Sequence, residues 1–400
     1  MKDMILSQAA ALQNWMEEVR RDLHMHPETG FDLNYTLDKV RSELTAMGYE
    51  PKDCGRAGIV ALAGGKKPGK TILLRADMDA LPLQEMADVP FASQTEGKMH
   101  GCGHDMHTAM LLGAAKLLKE NEDKIEGTIK LAFQPAEEIF LGAKDMIANG
   151  LLENPKVDAA YMFHVAIGTD IPSGTVIVLA DGVGMSSCEQ YYIKVNGKGG
   201  HGSTPHVAID PITAAAQIHV ALAEINSREL DANEYGVFTT CRFNAGHASN
   251  IIPAFAEMWG TIRTNDPTGV KNEFIKTRIE EVAKGVGAAL RCDVEVKFFD
   301  YCPCVKCDAE LSAELTGYAK ELVGEEHVVK FEKTAVGSED FAFISLEVPS
   351  VTFNIGAGSF AEGYPQAVHH PEALFNDGIL STGAAAYAYM ALKWLQMQEV

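Results

Sequence analysis

Apolar and polar positions follow two rhythms along this chain. In the first part, short, mainly apolar runs alternate with stretches whose apolar residues recur every three or four positions. Thr71–Ala76 (TILLRA), Thr128–Phe133, Asp158–Val165 and Thr175–Leu179 are such runs, the pattern of strands buried on both faces. Thr108–Glu120 and Gly142–Asn149 have helical spacing, the second stopped by Gly150. This β-α-β alternation predicts a largely parallel sheet with helices on both faces.

The middle reads differently. Cys188–Val195 is a strand ending at the turn pair Asn196-Gly197, and Asp210–Asn226 is a helix with Pro211 in its first turn. Gly236–Phe243 and Phe255–Thr264 follow as strands, Val270–Leu290 as a long helix and Asp293–Phe299 as a strand. The order β-α-β-β-α-β is the split pattern of a ferredoxin-like domain with its own core. Helix Ala309–Val323, strand Val348–Ile355 and helix Asp377–Leu395 then return to the first rhythm. The expected architecture is an α/β, mainly parallel-sheet domain over 1–185 plus 301–400, with a ferredoxin-like domain inserted over 186–300. A chain of 400 residues is also too long for one ordinary core.

Charge narrows the partners. The formal net charge is −21, which repels phosphate backbones and anionic membrane surfaces, so neither nucleic acid nor membrane is expected. No apolar run approaches the ~20 residues of a membrane span. The N-terminal segment carries Glu17, Glu18, Arg20 and Arg21 at helical spacing and reads as an amphipathic helix rather than a signal peptide. A soluble cytoplasmic protein is the expectation, and its eight cysteines are expected to be reduced.

The candidate chemistry lies where predicted strands end, the edge at which open α/β sheets bind ligands. Asp77 and Asp79 follow the first strand. Cys102, His104, Asp105 and His107 crowd a Gly-rich stretch before a helix. Glu137 and Glu138 follow Thr128–Phe133, His164 ends Asp158–Val165, and His369 and His370 stand in a late loop. Thiolate, imidazole and carboxylate together suit a borderline divalent metal. A hydrolytic site needs one carboxylate to hold an ion and another to take a proton from water, and adjacent glutamates in a loop can divide those tasks. The alternative chemistry is a Cys102 nucleophile paired with His104 or His164. The late run CPCVKC (Cys302, Cys304, Cys307) lacks a fourth ligand at metal spacing and reads as reduced thiols without a role.

The set RADMDALP, HGCGHD, QPAEE, KGGHGSTPH, NIIP, GTIR, SEDF and HHPEALF, after an opening RRDLHMHPETGF, resembles the hippurate hydrolase and indoleacetyl-amino-acid hydrolase branch of the metal-dependent aminoacylase and carboxypeptidase G superfamily. The resemblance runs in order over nearly the whole chain. It implies a catalytic domain with two divalent ions (zinc, manganese, cobalt or nickel) and an inserted domain that serves for dimerisation and as a lid. It implies Cys102, His104, Glu138, His164 and His369 as ligands, Glu137 as general base, and Asp79 standing behind the metals. The branch pattern His-x-Pro selects His369 over His370. In the wider superfamily a histidine stands where this chain has Asp77. The resemblance further implies that His201 supports the oxyanion across a homodimer. Asn250 and Arg263 are candidates for the substrate carboxylate, which an Arg fork pairs well. The implied activity is hydrolysis of the amide bond of an N-acyl amino acid or short peptide.

Overall fold

In the computed structural model, which describes residues 1–398, the chain divides into two compact units. The first comprises 1–184, 306–333 and 340–400, and the second 185–305 and 334–339. Ahead of the second unit come β1 (Lys52–Cys54), β2 (Gly58–Gly64), β3 (Thr71–Asp77), β4 (Thr128–Gln134), β5 (Ala159–Ala166) and β6 (Val176–Val178). The second unit holds β7 (Cys188–Asn196), β8 (Gly236–Ala245), β9 (Phe255–Thr264) and β10 (Asp293–Cys302), and the chain returns through β11 (Val328–Lys330) and β12 (Ser350–Gly356). The helices used below are α1 (Gln13–Met25), α2 (His104–Glu120), α3 (Pro211–Glu224), α4 (Val270–Ala289) and α5 (Leu380–Met397).

The first unit is built on an eight-stranded sheet in the order β1-β2-β4-β3-β5-β12-β6-β11. Its centre, β4-β3-β5-β12, is parallel. Antiparallel pairings flank it, β2 on β4 and β6 on β12, so the sheet is mixed rather than purely parallel. Every residue of β3 is buried, as its mainly apolar run predicts. The register sets Asp77 beside Gln134 and His164 beside Asn354. Since β3, β4 and β5 run the same way, their C-terminal ends meet at one edge of the sheet.

Helix α2 begins at His104, four residues before the expected Thr108. Gly103 makes this possible. It caps the helix with φ +85°, and a Cβ there would lie 2.4 Å from Val165 Cγ2 and 2.9 Å from the ring of Phe375. Only glycine combines that backbone with that approach. The first turn therefore carries His104 and Asp105 into the core. The N-terminal helices also differ from the expected polar face, because Arg20 on α1 is buried and ion-paired with Asp105 at 2.8 Å.

The second unit has the sheet order β8-β9-β7-β10, all antiparallel. Burial alternates along β7 and β9, leaving one face for a core of Tyr191, Ile193, Ile218, Met258, Ile262, Ile275 and Ile279. Helices α3 and α4 contribute to that core, and Asp210 caps α3 by accepting from the Ile212 N–H. This is the βαββαβ order expected for 186–300. The unit nevertheless extends beyond that range, because β10 runs on to Cys302 and residues 334–339 join it through a ladder contact between Met185 and Ala335. Among the described residues, no helix is long and apolar enough to cross a membrane.

Candidate metal centre

Four chain segments bring donor atoms together above the shared strand edge of the first unit. Cys102 Sγ lies 3.3 Å from His164 Nε2 and 3.2 Å from His369 Nε2. Glu138 Oε1 lies 3.6 Å from His369 Nε2 and 3.8 Å from His104 Nε2. Donors bound to one ion at ~2.0–2.3 Å stand roughly 3.3–3.7 Å apart in tetrahedral geometry, so these spacings fit a cation. Among the described residues, five groups have donor atoms within 4.8 Å of one another, and two of them are Cys102 with His104 and His164, and Cys102 with Glu138 and His369. Cys102 belongs to both and lies between them. Glu137 forms a third group with His104 and Glu138.

The imidazoles are oriented for this. His104 Nδ1–H donates to the Asp79 carbonyl at 2.8 Å, and His164 Nδ1–H donates to the Val165 carbonyl at 2.7 Å. In the neutral form of each ring, Nε2 therefore presents a lone pair to the cluster, the usual way outer hydrogen bonds fix a ligating histidine. His104 Nε2 is buried and makes no hydrogen bond. A buried acceptor without a donor calls for a missing partner, and a divalent cation supplies one.

The electrostatics agree. Burial, reinforced by the carboxylate of Glu138, pushes the Cys102 thiol well above its usual range. Burial disfavours the charged form of His104, yet Asp77 and Cys102 outweigh it and hold the imidazole well above its usual value. His164 is driven the other way by burial and by His107. Cys102 and His104 therefore carry protons that a cation would displace, so loading the site is expected to release protons.

Two ligand-bearing loops contain unusual backbone. Ala136, just before the glutamate pair, has φ +54°, and His369 has φ +65°. Non-glycine residues in this region cost on the order of 1–3 kcal/mol and persist where surrounding bonds impose them. Both Leu141 N–H and Gly142 N–H donate to the Ala136 carbonyl, and His369 N–H donates to the Gly101 carbonyl. His370 turns elsewhere, its Nδ1 accepting from Glu372 N–H. Asp79 organises the glutamates from behind, with one carboxylate oxygen accepting Glu137 N–H at 2.9 Å and the other Glu138 N–H at 3.3 Å. Glu137 is buried, whereas the His369 side chain is about half exposed and forms the open lip of the cluster.

Several residues of donor type in the same motifs are not in the cluster. Asp77 is bonded to Arg75 and to His107 Nδ1, each at 2.5 Å. His107 Nε2 accepts the Val165 N–H, so both ring nitrogens of His107 are taken. Each Asp77 oxygen, though close enough to His104 and His107 to form a donor group with them, already accepts one hydrogen bond. Asp105 holds Arg20 and His24, both at 2.8 Å. The sequence reading missed Arg75, Gln134 and Asp340, which are fully buried. Arg75 in the middle of an apolar run was the available signal, because a charge on a buried strand must find partners.

His201, Asn250 and Arg263 belong to the second unit. His201 and Asn250 are exposed and line a cleft of about 780 Å³ with Ile251 and Phe255. Ser203 donates to His201 Nδ1 from its N–H and its hydroxyl, at 3.1 and 2.8 Å. Arg263 is engaged within its own unit, donating to Ser338 Oγ at 2.7 Å. All eight cysteines are free thiols. Cys304 Sγ donates to the Thr264 carbonyl, and burial pushes the Cys307 thiol up to about 11.

The family model "Peptidase family M20/M25/M40" matches residues 73–393. The hippurate hydrolase of Campylobacter jejuni is 37% identical over 390 residues, covering 96% of this chain and 98% of its own length. The N-acetylcysteine deacetylase of Bacillus subtilis is 35% identical over 376 residues, covering 94% and 95%. Among solved structures, a dinuclear metal binding peptidase of the M20 family from Bacillus subtilis is 32% identical, covers 97% of this chain and 100% of its own, and superposes with a TM-score of 0.80. With donors, backing carboxylate and fold in the same chain, this protein is a hydrolase that belongs to peptidase family M20/M25/M40.

Proposed function

We propose that the protein hydrolyses the amide bond of N-acyl amino acids or short peptides, with Glu137 as general base. Cys102, His104, Glu138, His164 and His369 would hold two divalent ions. The observation that carries this reading is the convergence of the five donors beside a buried, separately held Glu137. The names of the relatives support the substrate class, since they cleave hippurate and N-acetylcysteine. Bound divalent ions supply acidified water and a polarised carbonyl.

The chain's own residues do the rest. Asp79 fixes the backbone of Glu137 and Glu138 so that their carboxylates part, one toward the donors and one toward the attacking water. Glu137 takes the proton of that water at its carboxylate and returns it to the leaving nitrogen. The half-exposed His369 marks the side from which substrate arrives. His201 stabilises the developing oxyanion, and Asn250 and Arg263 receive the substrate carboxylate, in a homodimer where the second unit of one subunit serves the first unit of the other. Support for that part is the exposure of His201, whose Nδ1 is taken up by Ser203 so that Nε2 points outward as a donor.

Zinc, manganese, cobalt and nickel all suit the donor set. The test is metal analysis of the purified protein followed by a panel of N-acetyl, N-benzoyl, indoleacetyl and long-chain acyl amino acids. Two ions per chain and chelator-sensitive cleavage of at least one substrate are expected. Full activity after chelation, lost on alkylation of Cys102, would transfer the chemistry to a thiol nucleophile.

A further inference from the structure

The buried charges behind the donor cluster are joined through one side chain. Arg75 sits in β3, fully buried, and its guanidinium bonds in three directions. Nε donates to Gln134 Oε1 at 2.9 Å, Nη1 to Asp77 Oδ2 at 2.5 Å, and Nη2 to Asp340 Oδ1 at 2.9 Å. On one side, the other Asp77 oxygen bonds His107 and the Asp77 carbonyl accepts the Thr108 hydroxyl. Both partners lie in the opening turns of α2, the helix that begins with His104. On the other side, Asp340 also accepts from Gln134 Nε2 at 2.6 Å and from Ala143 N–H at 2.9 Å. The N–H of Asp340 donates to Glu137 Oε1 at 3.3 Å.

Stability alone does not account for such a network. A buried ion triad is often replaceable by apolar residues of similar volume without loss. What apolar residues cannot do is fix two loops and a helix start to one rigid, planar fork. We propose that Arg75 is a positioning residue for hydrolysis, acting through Asp340 on the Glu137 carboxylate. This rests on the reading of Glu137 as the base.

The test compares Asp340→Asn, Arg75→Lys and Glu137→Gln in the full-length, metal-loaded enzyme, using the best substrate of the acyl panel. Asp340→Asn preserves shape but weakens the grip on Arg75 and Gln134. Arg75→Lys keeps the charge but cannot reach three partners at once. Both are expected to keep two ions per chain and a KM within about 3-fold, while kcat falls about 100-fold, the cost of a misplaced reacting group. A merely structural role would instead lower metal content, or raise KM along with the loss of kcat. Either of those results, or a kcat within twofold of the parent in both variants, overturns the proposal. If Asp340→Asn does not fold, Arg75→Lys alone decides, and failure of both to fold makes the network a folding element and overturns it as well. Glu137→Gln separates the two readings. If it turns over substrate normally the base assignment has failed, whereas if it is inactive beside a fully active Asp340→Asn only the positioning role has failed.

Discussion

The two units solve the same problem, placing polar side chains on a sheet scaffold, in opposite ways. In the first, charged residues are sunk into a sheet covered on both faces and bonded to one another. Arg75, Asp77 and Asp340 have no exposed surface. In the second, the sheet has one covered face and the candidate residues His201 and Asn250 stand in solvent with short local contacts. Buried polar groups at low dielectric are strongly held and costly to disturb. Exposed ones can be exchanged cheaply. Changes in the first unit should therefore cost orders of magnitude, or stability, and changes in the second should cost one step of binding or rate.

The sharpest way to break this contrast is Glu137→Gln. Turnover should fall about 10³–10⁴-fold, the range for a general base, with metal content unchanged by elemental analysis. A loss below tenfold would remove the base assignment.

Next in size is Asp105→Asn, which leaves Arg20 and His24 facing a neutral amide. Breaking a buried pair from one side costs about 3 kcal/mol or more, readable as a lower unfolding midpoint. Burial raises the pKa of Asp105, but Arg20 and His24 outweigh it and hold the carboxyl far below its usual range. A depressed folded-state pKa gives stability that is present above the unfolded pKa of about 4 and lost as pH falls below it. The parent should therefore lose stability on acidification more steeply than the variant, and parallel curves would show that the pair contributes nothing.

Asp79→Asn should weaken metal affinity about 10- to 100-fold, as removal of an outer hydrogen-bonding partner does. Competition with a chelator measures it. The smallest effect belongs to the second unit, where Arg263→Lys should raise KM several-fold with little change in kcat or melting temperature. A change in melting temperature as large as that of Asp105→Asn would erase the distinction between the units.

Much of this was legible in the chain itself, for physical reasons. A strand buried on both faces is mostly apolar, so β3 and β4 announce themselves despite the buried Arg75 and Lys130, and reactive residues at their ends fall at the sheet edge. The alternation along β7 and β9 marked the second unit equally well. Four things were hidden. Asp77, His107 and Asp105 have the same chemistry as the donors beside them, and only their hydrogen-bond partners tell them apart. Arg20 occupies a helix position that looks solvent-facing, because periodicity registers charge but not the carboxylate waiting opposite. Residues 334–339 carry no periodic pattern, so nothing in them announced that they rejoin the second unit. The antiparallel margin of the large sheet was equally silent, as short edge strands such as β1 carry little pattern.

The donors at positions 102, 104, 138, 164 and 369 come from segments scattered across most of the polypeptide. An ion seated among them would work as a cross-link, drawing together stretches that local folding would leave independent. With His369 in the proposed set, the donors span 268 positions of the sequence, from 102 to 369. Metal loading at these positions would thereby depend on the fold that brings the separate segments together.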